Sequence, residues 1–185
     1  MSSLSDTNTS GLRQFGNMVL GPIPVVAINA ASALTVKTTA AINYTLDGLL
    51  KQKAILSAVA LAAPTTSTTK GIAATALTQA EVDPWRFYTL PASSTCYLVL
   101  ALDGSANVVT FQGTYDGQDQ TTRSGLAMAK GKSIVPNIPD GFVPFGIVKV
   151  VTGATTFLPA TDALDKASVT FTFRDIGVLP SSTTL

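Results

Sequence analysis

From residue 34 onward the chain alternates apolar and polar side chains in short runs broken by glycine, proline and aspartate. Leu34, Val36 and Thr38 alternate with Thr35, Lys37 and Thr39, and Ile42-Asn43-Tyr44-Thr45-Leu46 repeats the pattern up to Asp47-Gly48. A two-residue period is that of a half-buried strand, and Asp-Gly between two such runs predicts a tight hairpin, because glycine accepts the positive φ that the turn needs. The return strand covers Leu49 to Leu56, and the alanine-rich continuation to Ala62 is open between strand and helix. Two further strands, Cys96–Leu102 and Asn107–Gln112, meet at Asp103-Gly104-Ser105-Ala106, with the glycine expected in the tight connection. Phe142 to Val151 reads as a strand with a turn at Thr152-Gly153-Ala154 and a short partner at Thr155–Leu158. The clearest strand is Ser168–Ile176, with Val169, Phe171 and Phe173 on one side and Thr170, Thr172 and Arg174 on the other.

The stretches between these runs are less regular. Pro64 to Gly71 is a threonine-rich loop, Thr78 to Asp83 fits a short helix ended by Pro84, and Pro159 to Ala167 is a loop with room for one helical turn. Trp85, Phe87, Tyr88 and Leu90 form an aromatic segment closed by Pro91, and Gly113 to Lys132 is a polar, weakly periodic excursion. At the N-terminus, Met1 to Gly16 offers almost nothing to bury and carries no basic segment followed by an apolar stretch, so it does not read as a signal peptide. Met18 to Ile28 is apolar but holds Pro22 and Pro24, which forbid a regular helix or a central strand. Such a peptide packs along a sheet edge or onto a neighbouring subunit. The apolar area of Ile23, Val25, Val26 and Ile28, its candidate assembly residues, favours the second, so Gly16 to Ile28 is expected to lie against another subunit of an assembly.

Together these readings predict a mainly β fold, a sandwich, jelly roll or small barrel of short antiparallel strands, with an extended N-terminal arm. The expected division is an arm at 1–32, a β-rich domain at 33–178 and a flexible tail at 179–185. A chain of 185 residues is long enough for one such core.

Composition narrows the chemistry. Charged residues make up only 12%, roughly half the usual share, and 12 basic against 11 acidic residues leave a formal charge of +1. A chain so balanced lacks the positive field that nonspecific nucleic-acid or acidic-membrane binding draws on, so neither partner is expected. Threonine, serine and alanine build the surface instead, and such side chains can be buried against a partner at little entropic or desolvation cost. The longest weakly polar run, Ala54 to Pro64, is too short to cross a bilayer as a helix.

With no histidine and a single cysteine, Cys96, the chain holds no intrachain disulfide, no Cys/His zinc site and no histidine-based triad. Cys96 lies in the apolar run Cys96–Leu100 and reads as a small buried hydrophobe. Gly131-Lys132-Ser133 resembles the end of a phosphate-binding loop, but Leu126 stands where its first glycine belongs. Asp116-Gly117-Gln118-Asp119 offers oxygen ligands without the full set of a calcium loop, and turn-forming aspartates explain Asp103, Asp116, Asp119 and Asp140 equally. Glu81 is the only glutamate, and no carboxylate sits in a plainly apolar run that would raise its pKa to serve as an acid catalyst. No catalytic, metal-binding or cofactor site is therefore expected, and the chain reads as a non-enzyme. Trp85, Phe87 and Tyr88 form a candidate aromatic interface, either core and contact area or a platform for a sugar.

The order of four segments carries a resemblance. They are Tyr44-Thr45-Leu46-Asp47-Gly48-Leu49, then Leu100-Ala101-Leu102-Asp103-Gly104 running through Val108-Val109 to Gln112-Gly113, then Asp140-Gly141-Phe142 through Val150, and Phe157-Leu158-Pro159 through Asp165 before the last strand. This ordering, over about residues 33–175, resembles virion structural proteins of tailed bacteriophages, such as capsid decoration or cement proteins and head fibres. The resemblance implies a noncatalytic protein on the outer surface of the capsid, bound to the major capsid protein as a homo-oligomer, a trimer ahead of a dimer. It supplies no functional residue to carry over. A different class, a carbohydrate-binding or adhesive module of a fibre or tail, would use the aromatic cluster with Asp83 and Arg86 beside it.

Overall fold

The structure, a computed structural model, describes residues 17–20, 26–28, 35–63, 87–115, 133, 135–136 and 138–175. These form ten strands: β1 (Met18–Leu20), β2 (Val26–Ile28), β3 (Thr35–Thr38), β4 (Ile42–Leu46), β5 (Leu49–Lys53), β6 (Val59–Ala60), β7 (Thr95–Leu102), β8 (Val108–Tyr115), β9 (Val143–Thr152) and β10 (Val169–Asp175). They pair antiparallel in three sheets, ordered β1-β4-β5, β2-β3-β6 and β10-β9-β7-β8, none of them closed into a barrel. The mainly β expectation holds, in its sandwich form. The continuation after β5, open between helix and strand, resolves as the short strand β6.

The four-stranded sheet is one layer, with β1 and β4 packed against β9 and β2 beside β10. Between the layers lies one core that includes Val19, Val36, Ile42, Tyr44, Leu46, Leu98, Leu100, Phe145, Val148 and Phe157. The opposite face of the four-stranded sheet is covered too, since Tyr97, Val99 and Ile147 meet Val135 and Ile138, and Ala101, Val109 and Phe111 meet Ile138 and Phe142. Burial on both faces explains why β7 and β9 read as unbroken apolar runs rather than alternations.

Two register shifts complete that pattern. On β9, Gly146 faces Leu100 and Pro144 faces Ala101, so Phe145 is the extra residue of a bulge. Val143 and Phe145 enter the core before it and Val148 and Val150 after it, so the inward parity changes from odd to even numbers. On β8, Leu98 faces Gln112 while Cys96 faces Tyr115, which places one extra residue at Gly113-Thr114.

The hairpins follow their turn chemistry. Asp47 and Gly48 take φ of 52° and 76°, the doubly left-handed turn expected of Asp-Gly. Between β7 and β8 the left-handed residue is Ala106 (φ 62°) rather than Gly104, the geometry of a three-residue loop closed by a bulge. Asp103 fixes that loop by accepting from the Ser105 and Asn107 amides at 2.9 and 2.8 Å.

Two expectations need correction. Thr155–Leu158 is not the partner of β9; that role belongs to β10, in unbroken register from Val169 opposite Thr152 to Asp175 opposite Gly146. The longer stripe of Val169, Phe171 and Phe173 packs on the core, while Phe157 is drawn away to a bridge with Leu90 and is fully buried. The second correction concerns the arm. Of the two placements open to Met18–Ile28, the sheet edge is the one observed: Met18–Leu20 pairs with Thr45–Asn43 and Val26–Ile28 with Thr38–Val36. Val19 is buried in the core, and the Asn17 side chain accepts from the Asp47 amide at 2.9 Å. The expected boundary at residue 32 thus falls between β2 and β3, two strands that pair with each other. The helix expected at 78–83, the excursion beyond Tyr115 up to Lys132 and the tail at 179–185 lie outside the described residues.

Candidate functional site

The aromatic segment joins the fold through a polar clamp. The Gln112 side chain, fully buried, accepts from the Tyr88 amide at 2.9 Å and donates to the Tyr88 carbonyl at 3.0 Å, imitating a strand partner for the segment 87–90. The bulge at Gly113-Thr114 turns the Gly113 carbonyl toward side chains, where it accepts from the Tyr88 hydroxyl and, at 3.2 Å, from the Cys96 thiol. The Tyr88 ring also lies 5.8 Å from that of Tyr115, tilted by 47°. Burial pushes the Cys96 thiol up to about 12, against the lowering effect of hydrogen bonds from Gln112 and Tyr88, and burial likewise raises the Tyr88 phenol. A thiol held protonated and out of solvent is a poor nucleophile, so Cys96 behaves as the buried hydrophobe expected of it.

Phe87 packs partly buried against the main core, and Tyr88 is committed to the clamp. Trp85, Ile23 and Val25 lie outside the described residues, and Val26 and Ile28 belong to β2. Gly131, Lys132 and the run Asp116–Asp119 are outside as well, whereas Ser133 is buried. Asp103 and Asp140 lie at turns, as expected. Among the described residues no group of three or more His, Cys, Asp or Glu side chains is placed to hold a metal ion.

The feature that stands out on the surface is β5. Leu49, Leu50 and, just beyond the strand, Ile55 are 63%, 73% and 58% exposed. The strand is the edge of its sheet, and its partners define its two faces. Leu49, Lys51 and Lys53 lie opposite the buried Leu46, Tyr44 and Ile42, while Leu50 and Gln52 lie opposite Thr45 and Asn43. Leu49 thus points to the core side of the sheet and is still largely exposed, so β5 overhangs the core. Sequence reading assigned this segment only as a return strand. The signal was nevertheless present, because Leu49 and Leu50 are adjacent and a strand cannot turn both to one face.

No family model, curated protein or solved structure matches the chain.

Proposed function

We propose that this chain is a noncatalytic virion structural protein, an oligomeric capsid decoration protein that binds the major capsid protein from outside the shell and stabilises it. The observation that carries the reading is the β5 edge, where exposed leucines flank a row of backbone groups on a charge-poor molecule. An exposed apolar strand edge is a surface for association, and it risks aggregation unless a partner covers it. The threonine- and alanine-rich composition, which can be buried without desolvating charge, supports the same reading, and the order of segments resembles that of phage virion proteins.

The test is made on particles. Purified protein added to tailed-phage heads stripped of decoration should co-sediment with them and raise the temperature at which they rupture. Sedimentation of the protein alone at tens of micromolar should show an oligomer, a trimer in the first instance. A strict monomer that neither binds nor protects heads overturns the proposal.

A further inference from the structure

The β5 edge carries information about what can bind there. In a two-residue hairpin the residues flanking the turn exchange both backbone hydrogen bonds, and bonded and non-bonded pairs then alternate. With Leu46 opposite Leu49, the backbone groups of Leu49, Lys51 and Lys53 point to β4, and those of Leu50 and Gln52 point outward. Beside this edge stand two cations, Lys51 and Lys53, on the core-side face. Lys51 donates to the Gly104 carbonyl at 3.0 Å, a neutral acceptor, and neither lysine is in an ion pair among the described residues. The carboxylate of nearby Asp103 is engaged by its own loop through Ser105 and Asn107.

These cations act against a second copy. A twofold axis through the new sheet pairs each residue with one on the same face, so registers centred on Lys51, Gln52 or Lys53 set lysine against lysine. Only the short register about Leu50 escapes, and it runs directly into the Asp47-Gly48 turn. We infer that β5 receives an extended strand from a different protein, added antiparallel at its free edge, with acidic residues opposite Lys51 and Lys53 and an apolar residue opposite Leu49. Backbone bonds from Leu50 and Gln52 hold the incoming strand, and the lysines select it by charge. The inference rests on the proposed function only in taking that protein to be part of the capsid shell.

Two measurements test it, both on the full chain. In the first, the probes are a soluble peptide of alternating valine and glutamate and the same peptide with lysine for glutamate, added while the amide resonances are followed. The acidic peptide should shift the amides of Leu50 and Gln52 saturably, and the basic one should bind at least about tenfold more weakly. Gln52→Pro removes an outward amide and no backbone bond to β4, only the exposed side-chain bond from Gln52 to Asn43 at 2.8 Å, so it should abolish the Leu50 shift with the circular dichroism spectrum unchanged. Equal response to both peptides, no response, or concentration-dependent shifts of Leu50 and Gln52 without peptide would overturn the inference, the last by identifying a second copy as the occupant. In the second, stripped heads replace the peptide. Loss of co-sedimentation in Gln52→Pro and in Lys51→Glu/Lys53→Glu supports the inference, and undiminished binding by both overturns the shell as source of the strand. If wild type ignores the heads while the acidic peptide still binds, the capsid reading fails and the strand-accepting edge stands.

Discussion

Within the core, two polar side chains on one strand should respond to substitution in opposite directions. Thr110 and Gln112 both lie on the core-side face of β8, opposite Leu100 and Leu98, and both are fully buried. The Gln112 amide is satisfied by Tyr88, but the Thr110 hydroxyl has no hydrogen-bond partner among the described residues. Thr110→Val keeps the shape, removes a buried unpaired hydroxyl and leaves the bond from the Thr110 amide to the Ala62 carbonyl, so it should stabilise by about 1 kcal/mol in urea unfolding. Gln112→Leu keeps similar bulk but strands the Tyr88 amide and carbonyl, and should destabilise by about 2 kcal/mol in the same assay. Neither role was legible in the sequence. Gln112 there is simply the polar end of a strand, because the glutamine-to-backbone clamp joins residues 24 apart and depends on how segment 87–90 crosses β8.

For the elements, legibility followed the locality of the signal. The Asp47-Gly48 hairpin and the alternation of β10 could be read directly, since turn chemistry and strand period are properties of neighbouring residues. The pairing of β9 with β10 across residues 153–168 could not, because the competing partner at 155–158 was nearer in sequence and differed only in how much apolar surface it offered. The closure of this excursion depends on Gly153, whose amide donates to the Ser168 carbonyl at 2.6 Å. A Cβ at position 153 would stand 2.9 Å from that same carbonyl oxygen, and Ser168 is itself held at a left-handed φ of 64°. Gly153→Ala should therefore cost about 1–3 kcal/mol, with amide exchange accelerated first at the Thr152–Val169 end of the β9–β10 ladder. Equal acceleration along the whole ladder would show that the closure is not local. Similarly, Pro22 and Pro24 lie outside the described residues, and the edge pairing of residues 18–20 depends on β4 having a free side, which no local pattern records.

At the scale of the whole molecule, the buried clamp sets an alkaline limit on stability. Below pH 9.0, the ordinary pKa of a thiol, Cys96 is protonated in both folded and unfolded chains. Between 9.0 and about 12 the unfolded chain releases that proton while the folded one keeps it, so stability present at neutral pH is lost as pH rises. Urea titrations should show a loss of roughly 1 kcal/mol from this group between pH 9 and 10. Cys96→Ala should flatten that step, whatever it does to stability at pH 7. The raised phenols of Tyr88 and Tyr44 add their part only above 10.0, which keeps the thiol's window separable. The sheet order β10-β9-β7-β8 also has a consequence for the growing chain. As the polypeptide leaves the ribosome β7 can close on β8 once Tyr115 is out, but its other side must wait until synthesis reaches Thr152 and β9 is complete. At roughly 5–20 residues per second that wait lasts a few seconds. Throughout it the nascent chain displays Val99, Leu100 and Ala101 on an uncapped hairpin, a natural point for chaperone capture and, when synthesis is forced, for misassembly into inclusion bodies.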